Sequence, residues 1–143
     1  MEGADIQIKP KYEHIMVPVD GSASSIQAFK KAVHIAKRND AVLHLVTVVD
    51  KADKPNEAEQ IDRNREEFFS ALETYAKREN QLIEKHVKFG SAKKLIAEEL
   101  VKNWNIDLII MGATGKGNIA KMVIGSITSY VTKHARCDVL IAK

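Results

Sequence analysis

Apolar residues in this chain fall into short unbroken runs, separated by longer stretches where they recur every three or four positions. The first run, His14-Ile15-Met16-Val17-Pro18-Val19, stops at Asp20-Gly21-Ser22 and reads as a buried strand ending in a turn. Pro18 lacks an N–H, which a strand accommodates near its end. Ser22 to Asn39 carries Ile26, Phe29, Val33 and Ala36 at helical spacing. Ala41 to Val49 is a second buried strand, and the polar stretch Asp50 to Glu57, with Pro55, is a loop. Glu57 to Asn80 predicts a long helix with Ile61, Phe68, Leu72 and Tyr75 on one side. Leu82 to Phe89 alternates, with Ile83, Val87 and Phe89 on one face and Glu84, His86 and Lys88 on a solvated one, as in an edge strand. Ser91 to Trp104 is helical through Ala92, Leu95, Ile96 and Leu100. Asp107 to Met111 is a short buried strand. A glycine-bearing loop, a helix to about Ala135 and a last strand, Asp138 to Ala142, complete the chain.

Strands that alternate with helices imply a parallel sheet covered on both faces by right-handed crossovers. Ligands of such sheets lie beyond the carboxyl ends of the strands, where strand order reverses. That rule directs attention to Asp20, Asp50 and Gly112.

Composition narrows this picture. The 143 residues suit one domain with its own core. A net charge of +3, from 22 basic and 19 acidic residues spread along the chain, gives no reason to expect a nucleic-acid partner. Cys137 is the only cysteine, which excludes an internal disulfide and a cysteine metal cluster. A reducing compartment follows. Residues 1–11 are polar, without the apolar centre of a signal peptide, and read as a flexible lead-in to a domain over 12–143. No apolar run is long enough to span a membrane. A cytoplasmic protein is expected.

The candidate chemistry sits in Met111-Gly112-Ala113-Thr114-Gly115-Lys116-Gly117-Asn118, continuing to Gly125-Ser126-Ile127-Thr128. Glycines directly after a buried strand allow positive φ and close approach of a ligand. The N–H groups of such a loop form an anion-binding concavity. Gly125 inside an unbroken helix would cost about 1 kcal/mol relative to alanine. If the helix instead starts near Ser126, Gly125 and Ser126 lie at an N-terminus suited to phosphate. Lys116 and Lys121 add positive charge. The competing reading is an ordinary loop followed by a helix packing point. The spacing matches neither a P-loop nor the dinucleotide fingerprint, which follows the first strand of a βαβ unit.

Gly112-x2-Gly115-x9-Gly125-Ser126 resembles the ATP-binding signature of the universal stress protein family. The likeness runs from Tyr12 to Lys143. It includes Ile15-Met16-Val17-Pro18-Val19-Asp20-Gly21-Ser22, Thr47-Val48-Val49-Asp50, Asp107-Leu108-Ile109-Ile110-Met111-Gly112 and Cys137-Asp138-Val139-Leu140-Ile141. Gly90-Ser91-Ala92 departs from it, since members often carry proline after that glycine.

The resemblance implies an α/β fold of the adenine-nucleotide alpha-hydrolase-like type, an open five-stranded parallel sheet in the order 3-2-1-4-5. It implies a nucleotide site at Pro18, Val19, Asp20, Val48, Met111, Gly112, Thr114, Gly115, Lys116, Gly125, Ser126, Ile127 and Thr128. In that site Asp20 stands near the adenosine, the Val48 backbone meets the adenine edge and Gly112 borders the ribose. Thr114, Gly115, Gly125, Ser126 and Thr128 line the phosphates, and Val19 and Met111 wall the base. The implied ligand is ATP, with Mg²⁺ or Mn²⁺ held through its phosphates. The implied role is a nucleotide-dependent regulator of the stress response, with an unidentified protein partner.

Several residues have plainer roles open to them. Asp20 is as well placed to cap the next helix, Val48 is explained by the core, and Thr114 and Thr128 by solvation. Asp50 suits a strand-end turn. His14, His34, His44, His86 and His134 lie on different elements without shared spacing, so no metal site is expected. Cys137 reads as a packing residue, as does Trp104. No serine elbow is present. The adenylating and adenylyl-transferring enzymes of related folds carry S-G-G-x-D-S or H-x-G-H near the first strand, where this chain has Asp20-Gly21-Ser22. Slow ATP hydrolysis, or dimerisation without nucleotide, stand as alternatives to regulation. Val139-Leu140-Ile141-Ala142 is outermost in the implied order, with only Lys143 after it. A homodimer built on this edge is expected.

Overall fold

The computed structural model describes residues 10–49, 55–114 and 125–143, leaving aside the side chains of 55–64. The apolar runs become five strands of one sheet: β1 (His14–Pro18), β2 (Val42–Val49), β3 (Ile83–Phe89), β4 (Leu108–Gly112) and β5 (Asp138–Ala142). Every neighbouring pair is parallel and the order is β3-β2-β1-β4-β5. The helices are α1 (Ala23–Asn39), α2 (Pro55–Arg78), α3 (Ala92–Lys94), α4 (Leu100–Asn103) and α5 (Ser126–His134). The lead-in before Pro10 and the Asp50 loop lie outside the described residues.

Alternation along the strands divides the core in two. Ile15, Val17, Leu43, Leu45, Leu108 and Ile110 face α1 and α2, where they meet Phe29, Ala32, Val33, Phe69, Leu72 and Ala76. Met16, Val46, Ile109 and Met111 face the other way, toward Leu95, Ile96, Leu100 and Val131. Strands buried on both faces have apolar residues at successive positions, which is why β1, β2 and β4 read as unbroken runs.

The expected helix over Ser91 to Trp104 is not uniform. Between α3 and α4, Leu95–Glu99 takes the π form, with the Leu100 N–H donating to the Leu95 carbonyl. A second difference lies in β3. Phe89, expected on the inner face, is 62% exposed, whereas His86, expected on a solvated face, is half-buried. His86 is covered by Trp104 at the end of α4, whose ring stacks on it with centroids 4.1 Å apart.

Candidate functional site

β1 and β4 lie side by side at the centre of the sheet, and the helices that follow them leave toward opposite faces. Their carboxyl ends therefore open a crevice. The β1 exit is pinned to β2, because the Val19 N–H donates to the Val46 carbonyl (2.9 Å) and the Thr47 hydroxyl to that of Val19 (3.0 Å). The turn follows at Gly21, with φ 85°.

Ser22, not Asp20, caps α1. Its hydroxyl accepts from the Ser25 N–H at 3.1 Å. Asp20 lies outside the cap, and its carboxylate accepts from the Ser22 N–H at 2.9 Å. This bond shapes the turn and leaves Asp20 exposed at the crevice.

On the β4 side, Gly112 answers to packing. A Cβ there would stand 2.7 and 2.8 Å from the Ser24 backbone and would also collide with the Ser24 hydroxyl. α1 can sit this close to β4 only against glycine. The Ser24 hydroxyl then accepts from the Thr114 N–H at 3.3 Å. The Gly125 N–H donates to the Ala113 carbonyl at 3.0 Å, so the two ends of the glycine-bearing loop meet.

The main helix starts at Ser126, as one of the two sequence readings held. Gly125 is its N-cap at φ −65° and, having no side chain, makes no side-chain cap bond to α5. The buried Thr128 hydroxyl donates to the Gly112 carbonyl at 3.0 Å, fixing the first turn of α5 on the end of β4.

These pieces enclose a cavity of about 260 Å³, lined by Pro18, Val19, Asp20, Ser25, Val48, Ala92, Ile96, Met111, Gly112, Thr114, Gly125, Ser126, Ile127 and Thr128. Eleven of the thirteen residues singled out in the sequence are brought together here. Gly115 and Lys116 lie outside the described residues, as do Gly117, Asn118, Lys121 and Asp50. Sequence reasoning missed Ser25, Ala92 and Ile96. Ser25 sits in the first turn of α1 and lines the crevice, and its hydroxyl donates to the Ser22 carbonyl. Ala92 and Ile96 were visible as members of an apolar stripe, but nothing local says where that stripe packs.

The cavity lining combines the apolar Val19, Val48, Ile96 and Met111 with hydroxyl-bearing residues and the N-terminus of α5. Asp20 is its single ionisable residue among those described. The arrangement suits a ligand with an apolar flat body and an anionic end.

Three of the histidines expected to be scattered converge instead. Parallel pairing puts His44 beside Glu84 and sets His86 two positions along β3 on the same face. The His44 and His86 ring centroids are 5.7 Å apart, and those of His14 and His44 5.6 Å. Burial holds both the His44 and His86 imidazoles below their ordinary pKa, with Glu84 opposing. Cys137 is half-buried, and burial, followed by the charges of Asp138 and Asp107, pushes its thiol up to about 11. It carries little thiolate near neutral pH, in keeping with a packing role. No helix among the described residues is long and apolar enough to cross a membrane.

The model of the universal stress protein family matches residues 11–143. A universal stress protein of Staphylococcus haemolyticus is 33% identical over 140 residues, which cover 92% of this chain and 85% of that one. The structure of the universal stress protein UspA from Lactobacillus plantarum superposes with a TM-score of 0.83 at 30% identity, covering 94% of this chain and all of its own. A universal stress protein solved in complex with cAMP gives a TM-score of 0.69 at 28% identity, over 93% of this chain and 98% of that one.

Proposed function

We propose a function from one premise, that this chain belongs to the universal stress protein family. It binds ATP in the cavity at the carboxyl ends of β1 and β4, and it reports nucleotide state to a protein partner as a regulator of the stress response. The observation that carries this reading is the convergence of Asp20, Val48, Gly112, Thr114 and Gly125–Thr128 on one cavity at the N-terminus of α5, where the N-cap glycine offers no capping side chain. A helix N-terminus favours phosphate through its free N–H groups and the positive end of its dipole. The apolar wall suits a purine, and Asp20 suits a ribose hydroxyl. The cAMP complex of a relative 28% identical supports an adenine nucleotide as the ligand class. Mg²⁺ or Mn²⁺ would ride on the phosphates, since the described lining offers one carboxylate.

Regulation fits better than turnover. Asp20 is already engaged with the Ser22 N–H, and no second ionisable group among the described lining residues stands ready to activate water. Hydrolysis, if measured, is slow. Titration calorimetry on nucleotide-stripped protein tests the reading with ATP, ADP, AMP and cAMP. ATP should bind, and Asp20→Ala should weaken adenosine and ATP alike. Absence of binding by all four nucleotides would sink it.

The same proposal includes a cytoplasmic homodimer built on β5, the edge strand whose Val139, Leu140 and Ile141 remain partly exposed. Sedimentation should give a dimer mass. Leu140→Pro or Ile141→Pro should give a monomer, whichever removes an N–H that crosses the interface. A monomeric wild type rules this edge out.

A further inference from the structure

The face of β2 and β3 opposite α1 and α2 carries a second cluster, roughly 13 Å along β2 from Val48, taking four residues of strand rise. It consists of His44, Glu84 and His86, with His14 behind and Trp104 above. One donor atom from each of His44, Glu84 and His86 lies within 4.8 Å of the other two. The Glu84 carboxylate is 3.3 Å from His44 Nδ1 and 3.8 Å from His86 Nε2. Both ring nitrogens are buried, and neither makes a hydrogen bond. His44 as a whole is only 5% exposed. A buried ring nitrogen that makes no hydrogen bond is costly, and here two of them lie within 4 Å of the same carboxylate.

We propose that His44 Nδ1, His86 Nε2 and Glu84 bind one divalent transition-metal ion of the zinc type. Two ligands bonded to zinc at 2.0–2.1 Å and a tetrahedral angle stand about 3.3–3.4 Å apart. The observed 3.3 and 3.8 Å are close to that spacing, and Glu84, whose side chain is 59% exposed, is free to close the remainder. Two imidazoles and a carboxylate are borderline-soft donors that leave a fourth position for water. Metal-bound histidine ordinarily donates its other ring N–H to an acceptor. A metal on His44 Nδ1 leaves Nε2–H facing His14 Nδ1, 3.3 Å away, which meets this requirement. Trp104 stacks on both ligand rings, at 5.2 Å from His44 and 4.1 Å from His86, and holds their planes. Lys88, with its ammonium 5.9 Å from the Trp104 ring, works against a cation here and Glu84 works for it.

The ion would tie edge strand β3 to β2 through side chains, in addition to the backbone ladder. The experiment titrates chelator-stripped, nucleotide-free full chain with ZnCl₂ by calorimetry, and with Co²⁺ by visible absorption. The expected result is one equivalent per chain with micromolar or tighter Kd, a four-coordinate cobalt spectrum and a zinc-dependent rise in Tm. His86→Gln and Glu84→Gln should each weaken zinc at least tenfold. His14→Gln should weaken it about tenfold through the lost acceptor. His34→Gln should leave it unchanged, because His34 lies on α1 and pairs with the Tyr75 hydroxyl. Glu84→Gln alters an exposed carboxylate, so it keeps the test valid if His86→Gln fails to fold. No zinc binding at micromolar concentration, or binding that survives both Glu84→Gln and His86→Gln, overturns the proposal.

Discussion

The carboxyl end of the sheet and the β2–β3 edge are put together differently. At the first, Gly112, Thr114 and Gly125–Thr128 come from one stretch of chain, and what they present is mostly backbone: N–H groups, a carbonyl bonded to Thr128, and the absence of a Cβ. At the second, His14, His44 and the Glu84–His86 pair come from three strands and present only side chains. A site made of backbone is fixed by local conformation and tolerates few changes of residue size. A site made of side chains is fixed by strand register and depends on residue type.

Substitutions can break this contrast. The largest expected effect is at Trp104, which covers the histidine edge. Trp104→Ala should cost about 3 kcal/mol, the low end for a large aromatic, because the ring is only half-buried. Urea denaturation measures this loss. ATP affinity of the folded variant should stay within about twofold of wild type if the two regions are energetically separate. Gly112→Ala comes next, at about 1–3 kcal/mol from its collision with Ser24, and it should weaken ATP as α1 is pushed from β4. The smallest effect on stability is at Gly125. Its φ of −65° suits any residue, so Gly125→Ala should cost only about 0.5 kcal/mol as a poorer cap. It should nevertheless weaken ATP more than adenosine. Equal losses of stability at Gly112 and Gly125 would show that the two glycines do the same job, contrary to the geometry.

The same contrast governs what could be read from the residues. The alternation of buried runs and helical spacing gave the element order, and the topology rule pointed to Asp20 and Gly112 before any resemblance was used. The strand order itself came with the family likeness. Ala92 and Ile96 escaped notice because a stripe of apolar residues does not reveal its neighbour across the sheet. The histidines escaped for a related reason. His44 pairs with Glu84 only once β2 and β3 are in register, and nothing around either residue encodes that pairing. β3 showed a period of two and Ile83 and Val87 do pack on the core, but the partial cover of its second face depends on Trp104 from another element. Asp20 was misread as a possible cap because Asp20 and Ser22 both suit that position, and only the hydrogen bonds decide between them.

The central place of β1 bears on how the newly made chain becomes organised. One flank of β1 pairs with β2, which follows soon after it in synthesis. The other pairs with β4, and the Glu13 and His14 amides bond the Asp107 carboxylate across sequence separations of 94 and 93. At a synthesis rate of roughly 5–20 residues per second, that flank waits about 5–20 s for its partner to emerge. β1, α1 and β2 can meet during this interval, as closely spaced contacts form first. Until β4 arrives, one side of the future central strand is an open edge, available to a chaperone or to a second unfinished chain.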